Sequence, residues 1–139
     1  MGYTLIDHTA DIGIEVEEED MEKAFQTSAK AMFDIIAGKE NITPREEKKI
    51  RCSADDPEQL LVDFLSELLY IYEVERFMVA ATLVKIKQAE EQDGEWRLMA
   101  TLAGEDYDME VHEIEMEIKA VTYHMLKVEG GKLSVLFDI

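Results

Sequence analysis

A single α+β domain, with two helices packed on a largely antiparallel sheet of about six or seven strands, is the fold class this chain predicts. Two stretches place apolar residues at helical spacing behind an acidic capping residue, and several short stretches alternate apolar with polar residues. The length of 139 residues, 47% of them hydrophobic, suits one core of two packed layers.

Residues 3–6 and 12–16 read as short strands, the second because Ile12, Ile14 and Val16 alternate with Gly13 and Glu15. Asp20 can cap a helix whose apolar positions Ala24, Phe25, Ala29, Met32, Phe33 and Ile36 keep helical spacing until Gly38 stops it. A polar connection over 41–47 leads into an alternating strand over 49–54. Asp56-Pro57-Glu58-Gln59 then combines a cap, a proline at the first helical position and a glutamine three residues after the cap. Behind it, Leu60, Leu61, Phe64, Leu65, Leu68, Leu69 and Tyr72 form a broad stripe suited to a core face. Residues 77–87 are rich in β-formers, and Asp93-Gly94 signals a hairpin into a strand over 95–103. After an acidic turn at 104–108, the pattern predicts a strand over 118–128, a turn at Gly130-Gly131 and a last strand over 133–137. There is no internal repeat.

Charge narrows the function. With 32 acidic and 14 basic residues the formal net charge is -18, and such a body repels phosphate backbones. Direct DNA binding is not expected, and RNA is expected only when a basic partner holds it. Cys52 is the sole cysteine, which excludes an intrachain disulfide and a thiolate zinc cluster and favours a small core residue over a catalytic thiol. No stretch approaches the roughly 18 apolar residues of a membrane span, and the start lacks a signal-peptide pattern. A cytoplasmic protein without membrane contact is the expectation.

Chemistry concentrates in three places. Asp7-His8-Thr9-Ala10-Asp11 forms a short connection between apolar strands, and its plainest reading is a turn in which Asp7 and Thr9 bond the local backbone. Asp11 directly precedes the apolar strand, where an ionised carboxylate needs a cation or several amide donors. The strand pattern runs to Phe137-Asp138-Ile139. If the last strand lies beside the first connection, Asp11, Asp138 and a main-chain or carboxyl oxygen of Ile139 supply hard ligands for calcium, magnesium or manganese. His8, His112 and His124 lack the close pairing of a zinc site. Lys119 opens an apolar strand, where a lysine is commonly snorkelling or salt-bridged, though beside an acidic pocket it could bind phosphate. No phosphate loop, nucleophile elbow or dinucleotide fingerprint occurs.

Asp7 to Asp11, Lys119-Ala120-Val121-Thr122-Tyr123-His124 and Asp138-Ile139, in that order around a helix running from Leu60 to Tyr70, resemble the archeases. Gly104-Glu105 followed by Asp108 and His112 is similar to that family as well, and the likeness spans residues 3–139. Archeases are small acidic proteins that activate the RtcB-type RNA ligase of tRNA splicing. The resemblance implies one domain over 1–139 and a non-enzymatic accessory factor that promotes guanylylation of the ligase and its multiple turnover. It implies a divalent-metal site at Asp11, Asp138 and Ile139, and tRNA contact only through the ligase. His8, Lys119 and His124 then line the pocket. Two other readings stand beside it. A chaperone-like module would need exposed apolar surface, for which Phe77-Met78-Val79 is the candidate. A stand-alone metal-dependent hydrolase would use the same carboxylates.

Overall fold

The computed structural model describes residues 2–8, 10–39, 41–89 and 94–139, residues 7 and 8 as backbone only. Asp20 and Asp56 act as the sequence predicts: each side chain accepts the amide three residues on, Lys23 and Gln59 respectively, at 2.8 Å. The helices that follow are α1 (Met21–Ala37), closed by Gly38 at φ 82, and α2 (Pro57–Tyr70). A π-helical turn over Ile71–Glu75 extends α2 and ends at Arg76, φ 57. That turn swings Arg76 over the rings of Tyr72 and Tyr107, 5.8 and 4.8 Å from their centroids.

Eight strands complete the fold among the described residues: β1 (Gly2–His8), β2 (Asp11–Glu17), β3 (Glu46–Ala54), β4 (Phe77–Gln88), β5 (Trp96–Asp106), β6 (Ala120–Val121), β7 (Lys127–Glu129) and β8 (Lys132–Asp138). Every pairing is antiparallel, and the α+β class holds. The strands divide between two sheets. One runs β1-β2-β8-β6 with β7 also on β8, and the other runs β3-β5-β4.

Both helices touch both sheets, α1 through β4, β1 and β2 and α2 through β3, β5, β6 and β7, so the helices form a layer between the sheets. This explains why α1 buries Ser28, Ala31, Ile35 and Ala37 in addition to its predicted stripe. The two helices meet at stacked Phe25 and Phe64 rings, 5.9 Å apart. Side chains buried this deeply each contribute roughly 1.5–3 kcal/mol. Gln26 and Glu22 of α1 accept the amides of Val84 and Ile86 at 3.0 and 2.8 Å, covering polar groups that edge strand β4 would otherwise expose.

Two expectations change. The strand expected over 118–128 is broken into β6 and β7, because the Thr122 hydroxyl and amide both bond the Leu136 carbonyl at 3.0 Å and Met125 turns the chain at φ 56. Phe77, Met78 and Val79 are 0%, 0% and 2% exposed, so the apolar patch a chaperone-like module would need lies in the core. Asp93, half of the expected hairpin signal, lies outside the described residues, although β4 and β5 do pair down to Gln88 opposite Trp96. No helix of the described residues is long and apolar enough to cross a membrane.

Candidate functional site

The first connection and the last strand meet. β2 lies between β1 and β8, and its register sets Asp11 opposite Asp138 on one side and opposite His8 on the other. The Ile139 amide donates to the Ala10 carbonyl at 3.3 Å, which makes Asp11 and Asp138 a non-hydrogen-bonded antiparallel pair. In such pairs the side chains approach most closely, with Cβ atoms about 4.5–5.5 Å apart. The alternation of β2 and β8 turns Ile12, Ile14, Val135 and Phe137 into the core, so Asp11 and Asp138 project from the opposite face. Both are half-buried.

Like charges directly opposite each other on a sheet oppose pairing, and this one is held by its surroundings. The Lys119 amide donates to the Asp138 carbonyl at 2.7 Å, and Ala120 pairs with Asp138. Ile139 is fixed twice, by its amide on Ala10 and by its side chain against the core. Ile139 is thereby held beside Ala10 and Asp138, next to the two paired acids. Two pairs further along, Gly13 lies opposite Leu136, whose Cδ2 would be 2.3 Å from any Cβ at position 13. Glycine lets Leu136 lie across β2 as an apolar floor beside the acidic pair.

The expected pocket residues are placed unevenly. Lys119 adjoins Asp138 through its backbone and its side chain is exposed. His124 is exposed in the turn between β6 and β7, its amide on the Thr122 hydroxyl at 3.3 Å, and that turn is tied to β8 at Leu136 and Ser134. The backbone of His8 pairs with Asp11; the His8 side chain and all of Thr9 lie outside the described residues. Among the described residues no group of three or more His, Cys, Asp or Glu side chains could hold a metal. A cation held at Asp11 and Asp138 would need further donors, and a main-chain oxygen of Ile139, the residue next to Asp138, is one that could supply it. This donor set is all oxygen, which fits calcium, magnesium or manganese and not a thiophilic ion.

A second charged cluster escaped the residue-by-residue reading. His112, 2% exposed, sits 2.8 Å from the Glu105 carboxylate through Nε2. Its Nδ1 accepts the Asp108 amide at 2.9 Å, so the ring proton is on Nε2 and points at Glu105. The Thr43 amide and Arg45 Nε complete the shell at 2.7 and 3.0 Å. Burial acts to raise the Glu105 pKa, but the Thr43, His112 and Arg45 donors outweigh it and hold the carboxyl below its ordinary value. An open cleft of about 780 Å³ beside it is lined by Arg45, Glu105, Tyr107 and Met109. The acid in its wall is already satisfied from within the chain.

Burial first, then the Glu67 and Asp63 carboxylates, push the Cys52 thiol up to about 11, which leaves little thiolate for nucleophilic work.

The chain matches the model of the archease protein family over residues 3–139. It is 39% identical over 141 residues to protein archease of Methanosarcina mazei, covering 99% of this chain and 95% of that one. Its identity to the Pyrococcus furiosus protein archease is 41% over 123 residues, 88% of this chain and 84% of the relative. The solution structure of Methanobacterium thermoautotrophicum protein 1598 is 34% identical, superposes with a TM-score of 0.79 and covers 99% of both chains.

Proposed function

Because the chain belongs to the archease family, we propose that it is an accessory factor of tRNA splicing, one domain over 1–139, that activates an RtcB-type RNA ligase. In this reading it promotes guanylylation and multiple turnover of the ligase without catalysing ligation itself. Its working site is a divalent-cation pocket at Asp11, Asp138 and the main-chain oxygens of Ile139, with calcium, magnesium or manganese as the ion. The observation that carries the reading is the register of Asp11 directly opposite Asp138, beside the anchored Ile139.

The Asp11 and Asp138 carboxylates would hold the ion. A bound divalent ion would supply positive charge and Lewis acidity toward phosphate oxygens. Lys119, His124 and His8 are the residues proposed to line the pocket, Lys119 as the donor toward a phosphate. The net charge of -18 steers the protein to the basic, nucleotide-handling face of a ligase, and tRNA is reached through that ligase. A cytoplasmic location without membrane contact goes with this role.

The test is ligation of a broken tRNA by the ligase with and without this protein, beside labelled GTP given to each protein alone. The expected result is faster turnover with both proteins and no covalent guanylate on this chain. Hydrolysis or guanylylation by this protein alone would replace the accessory role with the metal-dependent hydrolase reading or another enzymatic one.

A further inference from the structure

The centre of the outer face of the β3-β5-β4 sheet carries a cluster of basic residues in an otherwise acidic chain. Alternation along β3 exposes Lys49, Arg51 and Ser53, while Ile50 and Cys52 pack against the core. The cross-strand register places Lys49 beside Thr101 and Leu83, and Arg51 beside Met99 and Lys85. A third row joins Ser53, Arg97 and Lys87. Five of the chain's 14 basic residues thus stand on nine neighbouring positions, bordered on the same face by exposed Glu47 beside Lys49 and by Glu95 beside Arg97.

Their lack of partners is the second observation. Lys23, Lys30, Arg45, Lys48, Lys127 and Lys132 each meet a carboxylate elsewhere on the chain. On this face only Arg97 does, with Glu95 at 3.5 Å. Among the described residues Lys49, Arg51, Lys85 and Lys87 have no ion pair, in a chain where acids outnumber bases by more than two to one. The Debye length is about 8 Å at physiological ionic strength, which screens acids on other faces of the molecule but not Glu47 and Glu95 at the rim of this one, so a ligand centred on the Arg51–Met99–Lys85 row feels mainly the cations beside it.

We propose that this face contacts the phosphate backbone of the RNA that the ligase holds, a proposal that rests on the accessory role above and adds an RNA contact to it. The cations of β3 and β4 form two rows on either side of β5, about 10 Å apart, with successive members about 6.8 Å apart along each strand. Between the rows lie Met99 and Thr101, with Leu83 at one end. Three lysines and no aromatic ring distinguish this surface from protein-docking cores, where lysine is depleted and aromatics are enriched. Nucleic-acid interfaces are, in contrast, polar and strongly positive. Without an aromatic platform for bases, the contact reads charge and spacing rather than sequence. The repulsive acidic body keeps free RNA away, and the ligase brings RNA close enough for the local cations to act.

The experiment uses the full-length protein with its ligase and a broken tRNA as probe. The double variants Arg51→Glu/Lys85→Glu and the milder Arg51→Gln/Lys85→Gln are compared with wild type, with thermal unfolding to verify that each folds. Guanylylation of the ligase without RNA should be unchanged, while the KM for RNA rises roughly tenfold and its salt slope falls by about two, one per lost phosphate contact. A photo-crosslinking residue in place of Met99 should join to tRNA in the presence of ligase. An unchanged KM with no crosslink overturns the proposal. So does a parallel fall in RNA-free guanylylation, which would make the face a dock for an acidic protein surface. Should wild type fail to stimulate guanylylation at all, the accessory role falls, and the Met99 crosslink still decides the RNA contact by itself.

Discussion

Glu105 and Asp138 are both carboxylates near the end of a strand, and their surroundings differ in kind. Glu105 receives the Thr43 amide, the Arg45 guanidinium and the His112 ring, all from within the chain. Asp138 is set opposite another carboxylate, Asp11, in the pairing geometry that brings side chains closest. The first arrangement anchors the start of the segment between β5 and β6. The second sets two carboxylates directly across from each other, the pair at which the cation is proposed. Neutralising the two acids should therefore move stability in opposite directions.

The largest effect falls on the satisfied cluster. His112→Ala removes a donor from Glu105 and leaves a buried void, and should destabilise the fold by about 3 kcal/mol. Chemical denaturation reads this directly, and a loss near zero would erase the distinction between the clusters. Next comes acid. The Glu105 carboxyl is held below its ordinary 4.5, so its stabilising contribution is complete above that pH and is lost as pH falls through the lower native value. Stability of wild type should accordingly fall more steeply below pH 4.5 than that of Glu105→Gln; parallel curves would remove Glu105 as the cause.

Asp138→Asn should be smaller and opposite in sign. In chelator it relieves a like-charge pair and should leave stability unchanged or raise it by about 0.2–1 kcal/mol. A loss comparable to that of His112→Ala would make Asp138 a structural residue. Smallest of all, the Cys52 thiol, pushed up to about 11, should react with iodoacetamide at pH 8 far more slowly than a free cysteine, with mass spectrometry as the readout.

Local chemistry made much of the fold legible. Asp20, Asp56 and Gly38 mark helix ends through backbone bonds to neighbours, and those act as read. Alternation likewise exposes which face of a strand is buried, but it carries no record of which strand lies alongside, so the division into two sheets was not visible. For the same reason Ala31 and Ile35 gave no sign of the second sheet that buries them. The break at 122–126 was hidden because Thr122 and Tyr123 favour strands, while a hydroxyl bond to Leu136 decides the turn. At the candidate site, Asp11, Asp138 and Ile139 were named from strand patterning that reached the last residues and from the family resemblance, and the register of β2 on β8 sets Asp11 opposite Asp138. The Glu105–His112 contact joins the end of β5 to a residue seven positions on, in the irregular segment that follows, and left no periodic signal. The basic face was written in the alternation of Lys49 with Arg51 and of Lys85 with Lys87, and the net charge of -18 masked it.

Isothermal calorimetry with calcium and manganese on wild type, Asp11→Asn and Asp138→Asn, read beside guanylylation of the ligase, tests the central claim most directly. Wild type should bind one divalent ion and activate the ligase. Each neutralised variant should bind at least tenfold more weakly, because a neutral amide is a poorer ligand for a hard cation, and should lose activation in proportion while remaining folded. Equal metal affinity and equal activation in all three proteins would contradict the account and return Asp11 and Asp138 to ordinary sheet residues.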